Sequence, residues 1–167
     1  MNRMGKTLFI VRHGKARHKE SGEKDQDRML EAEGLRQSTR LGAYLYSKNA
    51  DISAIICSHA KRAQQTAEQI SDQLNFDLSK IIIDEDLFEA SVRIILDKVN
   101  NFNNDWDEVI LVGHNPVVSY FVEYITGHHF NGMEAGSVVK IACSIDDWIE
   151  VSQDNASFEY YASPDDY

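Results

Sequence analysis

Three short clusters of arginine and histidine punctuate the chain: Arg12-His13-Gly14, Ser58-His59-Ala60-Lys61-Arg62 and Gly113-His114-Asn115-Pro116. A guanidinium is a planar, permanently charged fork of donors that meets phosphate oxygens two at a time. A neutral imidazole near pH 7 offers a lone pair that acts as a base or, more rarely, as a nucleophile. Gly14, lacking a Cβ, lets the backbone turn and approach a ligand closely. The chemistry these residue types fit is the binding of an anion such as a phosphoryl group by Arg12, Gly14, Arg62 and His114, with His13 beside it as a base or a nucleophile. Taken singly, each cluster also reads as something plainer: a polar turn, a solvated arginine at a helix end, a hydrogen-bonded histidine. Their shared position in the fold separates the two readings.

Thr7-Leu8-Phe9-Ile10-Val11, Ile52 to Cys57, Ile81-Ile82-Ile83 and Val109 to Val112 are apolar, β-branched runs of the kind found in strands buried on both faces. Helical spacing fills the gaps. From Gly34 to about Lys48 the face is Gly34, Ser38, Leu41, Gly42 and Leu45. Glycine costs about 1 kcal/mol inside a helix, so a face this small predicts close packing against a sheet. Ser58 can cap a helix striped by Ala63, Thr66, Ala67, Ile70 and Leu74, and Ser91 one striped by Val92, Ile95, Leu96, Val99 and Phe102. A last helix follows Gly113, with Pro116 suited to its first turn. Near the end, Ser137 to Ser144 and Asp147 to Ser152 predict a hairpin about Asp146-Asp147, and the acidic Ser163–Tyr167 reads as loose.

Strands alternating with helices predict an α/β fold: a three-layer α/β/α sandwich whose central sheet is mostly parallel, with an antiparallel edge. Parallel strands deliver their carboxyl ends to one edge of the sheet, where ligands of open α/β sheets bind. Each Arg/His cluster directly follows a predicted strand. Arg12, His13, Arg62 and His114 are therefore expected around one anion-sized cavity. One His13 ring nitrogen should face it, while a backbone carbonyl holds the other and fixes the tautomer.

The 167 residues fit one domain spanning 1–167 and can bury a sizeable core without disulfides or metals. The formal net charge of −10 argues against nonspecific nucleic-acid binding, which needs a basic patch, so any phosphate site must concentrate positive charge locally. No apolar run approaches the ~20 residues of a membrane span, and Met1 to Lys6 lack a signal-peptide core. Cys57 and Cys143 lie in apolar runs without CxxC partners, which fits buried free thiols and a cytoplasmic location. No HExxH, EF-hand or Walker A pattern occurs, so no metal or other cofactor is expected. His128-His129 reads as an exposed loop rather than a metal pair, because adjacent side chains diverge. His18 and Lys19 fit a pocket rim or plain loop charges equally well, and Trp106 reads as core edge.

The quoted residues resemble a known family. Leu8-Phe9-Ile10-Val11-Arg12-His13-Gly14 resembles the signature of the histidine phosphatase (phosphoglycerate mutase-like) superfamily. Ser58 to Ala67 is similar to its second motif, S-x-x-x-R-A-x-Q-T-A, and Val112-Gly113-His114-Asn115-Pro116 to its third. Lys15-Ala16, Asp25-Gln26-Asp27-Arg28 before Leu30, and Leu87 to Ser91 resemble the small SixA-type phosphohistidine phosphatase branch.

The resemblance implies a metal-independent phosphatase. His13 would be phosphorylated and then hydrolysed, with Arg12, Arg62 and His114 holding the equatorial oxygens. It implies as substrate a phosphohistidine on a protein partner. A small phosphate ester is the alternative, and a non-catalytic phosphate-binding module the alternative of another class. A short chain without enclosing inserts disfavours mutase activity. Two departures matter. Leu30-Glu31 replaces the branch's Leu-Thr at a helix start, and the superfamily's usual acid after the third strand has only Glu89 as a candidate. An imidazole leaving group is readily protonated, which lessens the need for that acid.

Overall fold

The computed structural model describes residues 5–167. Residues 1–4, part of the stretch expected to carry no leader, lie outside the described residues. Six strands form one sheet: β1 (Lys6–Arg12), β2 (Ala54–Ser58), β3 (Ile82–Asp84), β4 (Glu108–Gly113), β5 (Val138–Cys143) and β6 (Ala156–Ala162), in the order β3-β2-β4-β1-β5-β6. The pairs β2·β3, β2·β4 and β1·β4 are parallel, and β5 and β6 add an antiparallel edge beside β1. Leu8, Ile10, Val109 and Leu111 alternate with Phe9, Val11, Ile110 and Val112, so each strand feeds both faces. One face is covered by α3 (Val92–Asn100) and α4 (Val117–Thr126), the other by α1 (Ala32–Ser47) and α2 (Lys61–Leu74). This is the predicted α/β/α sandwich with its mostly parallel sheet.

The carboxyl ends of β1, β2 and β4 lie side by side, because Arg12 pairs with Gly113 and Cys57 with Val112. The three Arg/His clusters thus emerge at one edge. Ser91 caps α3 through the Ile94 N–H, as its position predicts. Cys57 and Cys143 are buried free thiols. Trp106 is partly buried against Phe102 at the margin of the core.

Several expectations are corrected. The glycines of the small α1 face do not meet the sheet. Gly42 sits on α2, where a Cβ would come within 2.8 Å of Gln73 Cβ and 3.0 Å of Ile70 Cα, and Gly34 sits on the Lys15 backbone. Leu41 and Leu45, from the same face, reach the strands instead. Ser58 does not cap α2: the cap residue is Ala60, and the Ser58 hydroxyl accepts from the Ala60 N–H at 3.3 Å but turns toward His114.

Asp147 to Ser152 is no strand. Asp147 and Glu150 form a reciprocal capping box around a 3₁₀ turn, Trp148–Glu150, whose Trp148 is fully buried with its indole N–H on Trp106 O at 2.8 Å. A large aromatic that must be buried with its polar edge satisfied overrides the weak alternation there. The strand partner of β5 is Ala156–Ala162. The tail is not loose either. The Asp166 carboxylate accepts from the Ser163 N–H at 2.7 Å, the Tyr167 hydroxyl donates to the Gly136 carbonyl, and its ring packs 5.1 Å from that of Tyr44.

The atoms facing Gly42 are the Gln73 Cβ and the Ile70 backbone, none of which can yield as the far end of a flexible side chain would. Gly42→Ala should cost about 1–3 kcal/mol, the usual penalty of overpacking, read as a lower midpoint in urea unfolding. An unchanged midpoint would show that α1 and α2 separate without cost.

Candidate active site

His13 leaves the end of β1 with its ring tautomer set. Its Nδ1 is 2.7 Å from the Gly14 carbonyl oxygen, which can only accept, so Nδ1 carries the hydrogen and Nε2 the lone pair. That lone pair faces the Arg62 Nε–H at 3.4 Å. The main chain is held as well: the His13 N–H donates to Gly113 O on β4, and the Gly14 N–H donates to the Thr66 hydroxyl of α2 at 3.0 Å. Gly14 cannot be larger, since a Cβ there would lie 2.6 Å from Gly34 O. Its amide is taken by Thr66, so Gly14 contributes close packing to this pocket rather than a free donor.

Arg62, in the first turn of α2, is buried, and each of its three guanidinium nitrogens has a partner. Nη1 donates to Asp25 O at 2.7 Å and Nη2 to Asp25 Oδ2 at 2.9 Å, while Nε faces His13. The other carboxylate oxygen of Asp25 accepts from Arg28 at 3.0 Å. Asp25 opens a short 3₁₀ turn, Asp25–Asp27, that also brings Gln26 to within 3.4 Å of His59 and Asp27 to within 3.7 Å of Lys61. Arg12 donates from Nη1 to Met133 O at 2.8 Å, and its Nε is buried without a partner.

His114, at the end of β4, is buried with its ring centroid 5.1 Å from that of His13. Its Nε2 lies 2.8 Å from the Ser58 hydroxyl, and its Nδ1 is buried without a partner. Phe88 closes one side: its ring lies edge-on to His114 at 5.6 Å and to His59 at 5.1 Å, and the Arg62 guanidinium sits 5.9 Å from its centroid.

The structure thus brings Arg12, His13, Arg62 and His114 together. Glu89 is exposed beside Phe88 with no hydrogen-bond or ion-pair partner among the described residues. His18 and Lys19 are exposed on the loop after β1. His128 stacks on Phe158 at 3.8 Å, away from His129, whose side chain is 89% exposed. Sequence reasoning assigned no role to Asp25, Phe88, Ser58 or the Met133 carbonyl. The first two fall in segments quoted for the branch resemblance, and Ser58 was read only as a cap. A main-chain carbonyl such as that of Met133 leaves no mark in a sequence. A separate cavity of about 880 Å³ opens at the opposite edge of the sheet, lined by Asp51, Asp107, Glu108, Asp146, Glu150 and Glu159. Its charge is wrong for an anion.

Burial is the main force on both imidazoles. It pushes His13 down to about 4, helped by the nearby charges of Arg62, Arg12 and Arg28 against the opposing Gly14 hydrogen bond. Burial likewise takes His114 down to about 3, with His13 and Arg62 adding to it. Both rings are neutral at pH 7. Burial raises the Asp25 carboxyl, but hydrogen bonds from Arg28 and Arg62 outweigh it and hold the group below its ordinary value.

In the unfolded chain both rings titrate near 6.5, so between that value and about 4 (His13) or about 3 (His114) the unfolded state binds more protons. Stability contributed by keeping them neutral must therefore fall as pH drops from about 6.5 through about 4. Urea midpoints measured across that range should decline for the native chain and decline less for His13→Ala/His114→Asn. Equal slopes would mean that the rings protonate freely in the fold.

Residues 8–98 match the histidine phosphatase superfamily (branch 1). Phosphohistidine phosphatase SixA of Escherichia coli (strain K12) is 28% identical over 116 residues, 69% of this chain and 71% of that protein. An uncharacterized protein of Mycobacterium tuberculosis (strain ATCC 25618 / H37Rv) is 27% identical over 109 residues, and the match covers 65% of each chain. Among solved structures, the protein histidine phosphatase SixA complexed with tungstate superposes with a TM-score of 0.80 at 23% identity, covering 95% of this chain and 97% of that one. Mycobacterial glucosyl-3-phosphoglycerate phosphatase with inorganic phosphate gives 0.69 at 15% identity, covering 96% and 99%. These two likenesses establish the fold. The sequence match runs from β1 through the Arg62 helix to α3, and the chain belongs to the histidine phosphatase superfamily, branch 1.

Proposed function

We propose that this chain is a metal-independent phosphatase acting through a phosphohistidine intermediate on His13, with phosphohistidine on a protein partner as its substrate. The observation that carries the reading is the His13 ring itself. Gly14 O takes the Nδ1 hydrogen, Nε2 keeps its lone pair, and burial among arginines keeps the ring unprotonated at neutral pH. Nε2 attacks phosphorus as the bond to the leaving nitrogen or oxygen breaks. The hydrogen stays on Nδ1 and keeps donating to the Gly14 carbonyl, which offsets the positive charge that develops on the ring. Water then attacks the phosphohistidine and returns His13 with inorganic phosphate.

Arg12, Arg62 and His114 would hold the equatorial oxygens and stabilise their charge, the main catalytic contribution in phosphoryl transfer. A leaving imidazole is readily protonated, so an exposed Glu89 need not act as the acid. The name of the Escherichia coli relative supports a phosphohistidine substrate. Small phosphate esters are the second reading, and an acid at Glu89 would favour them. A binding module would need the cations but has no use for a nucleophile with its lone pair set free. Two buried free thiols fit a reducing, cytoplasmic setting.

The decisive experiment traps the intermediate. Incubation with a phosphohistidine-bearing peptide or p-nitrophenyl phosphate should yield an acid-labile phosphoenzyme with the native chain and none with His13→Ala. A labelled His13→Ala protein would remove the assignment. Activity should also survive excess EDTA, because guanidinium groups supply the charge that a metal supplies elsewhere. Loss of activity on chelation, restored by a divalent ion, would overturn the mechanism.

A further inference from the structure

We propose that Ser58 is a positioning residue that fixes His114 as a neutral Nδ1–H donor, so that His114 grips the phosphoryl group by a directed hydrogen bond and not by charge. The inference rests on the phosphate-binding reading of the site and adds to it the way His114 does its part.

The argument follows the hydrogens. Ser58 has no exposed surface, and its hydroxyl has two neighbours: the Ala60 N–H at 3.3 Å and His114 Nε2 at 2.8 Å. The Ala60 amide can only donate, so the Ser58 oxygen accepts there. Two arrangements remain for the shorter contact. If Nε2–H donated to the same oxygen, the Ser58 O–H would have nowhere to go. It would be an orphan donor enclosed where no ligand reaches it. If the hydroxyl donates to the Nε2 lone pair, every hydrogen on Ser58 is placed. The second arrangement puts the ring hydrogen on Nδ1, the one polar atom of the ring that has no partner. Either way one donor is left over, and here it is on His114, where a phosphoryl oxygen would accept it, and not on the enclosed Ser58 hydroxyl.

Charge points the same way. The ring lies 5.1 Å from His13 and near the Arg62 guanidinium, surroundings that oppose a second proton on it. A neutral imidazole holds an anion only through an N–H, and its tautomer decides which nitrogen presents one. Phe88, edge-on at 5.6 Å, limits the ring's freedom to turn. The same ring with its hydrogen on Nε2 would aim a lone pair at a phosphoryl oxygen, which repels.

Nitrogen NMR of the native chain labelled with ¹⁵N-histidine, with His114→Gln used to assign the signal, reads the tautomer directly. The Nδ1–H form is expected. The Nε2–H form or a protonated ring at pH 7 would overturn the proposal, whatever the variants do. For Ser58→Ala, loss of the fixed Nδ1–H signal is expected. Its kcat on p-nitrophenyl phosphate should fall on the order of 10²-fold, as for loss of one oxyanion donor, with KM changed much less. Ser58→Ala that keeps both the signal and kcat would also overturn it. A native chain that turns over neither phosphohistidine nor esters would instead defeat the proposed function, since the tautomer is measured without any substrate.

Discussion

The hydrogen bond between His13 Nδ1 and the carbonyl of its own neighbour, Gly14, constrains everything around it. An imidazole has two nitrogens and, when free, exchanges its hydrogen between them. Here a main-chain acceptor claims one nitrogen, and the Arg62 Nε–H faces the other at 3.4 Å. The first contact is local to the turn, but the second, already 3.4 Å long, is lost if α2 moves away from the strand end. The site therefore needs β1 and α2 locked together, and one residue does much of that. The Thr66 hydroxyl accepts from the Gly14 N–H and donates to Arg62 O at 2.8 Å, tying the nucleophile's neighbour to the carbonyl of the arginine.

Small residues make the lock close enough. Gly14 lies where any side chain would strike Gly34 O, and Gly34 lies where any side chain would strike the Lys15 backbone. The start of α1 is thus pressed onto the turn after β1, and Glu31 N–H donates to Lys15 O at 2.9 Å across the same junction. Glu31 leads into α1 with no side-chain cap, so what fixes the helix start to the turn is this tertiary contact and not a local cap. Gly34 and Gly42, which the sequence offers as a helix face for the sheet, are in fact the seats of the turn after β1 and of α2.

Much of this was legible because strands and phosphate ligands leave strong marks. Apolar runs of three to six residues located the parallel strands, and Arg12, His13, Arg62 and His114 could be placed at one edge from topology alone. What stayed hidden lacks such marks. Asp25 is one acid among many until the fold sets it between Arg28 and Arg62. Ser58 has the residue type of a cap and the position of one, yet its hydroxyl turns to His114. Asp147 to Ser152 alternates weakly, and only the demand to bury Trp148 makes it a turn. In each case the deciding partner lies far away in sequence.

The charges of the site close consistently around neutral histidines. Arg12, Arg28 and Arg62 contribute three positive charges, and Asp25, hydrogen-bonded to two of them, removes one. Glu134 acts on Arg12 only through space, from an exposed position. The remaining two positive charges match a phosphoryl dianion. Were His13 and His114 also charged, the cluster would repel its own members and His13 would have no lone pair. Burial that drives both rings down to about 4 and about 3 is therefore what lets a protein of net charge −10 hold a site of opposite sign without protonating His13. Asp25 completes the balance. It holds Arg62 by two hydrogen bonds and lowers the local charge, and an incoming phosphoryl group competes with a carboxylate for a guanidinium already aimed at His13.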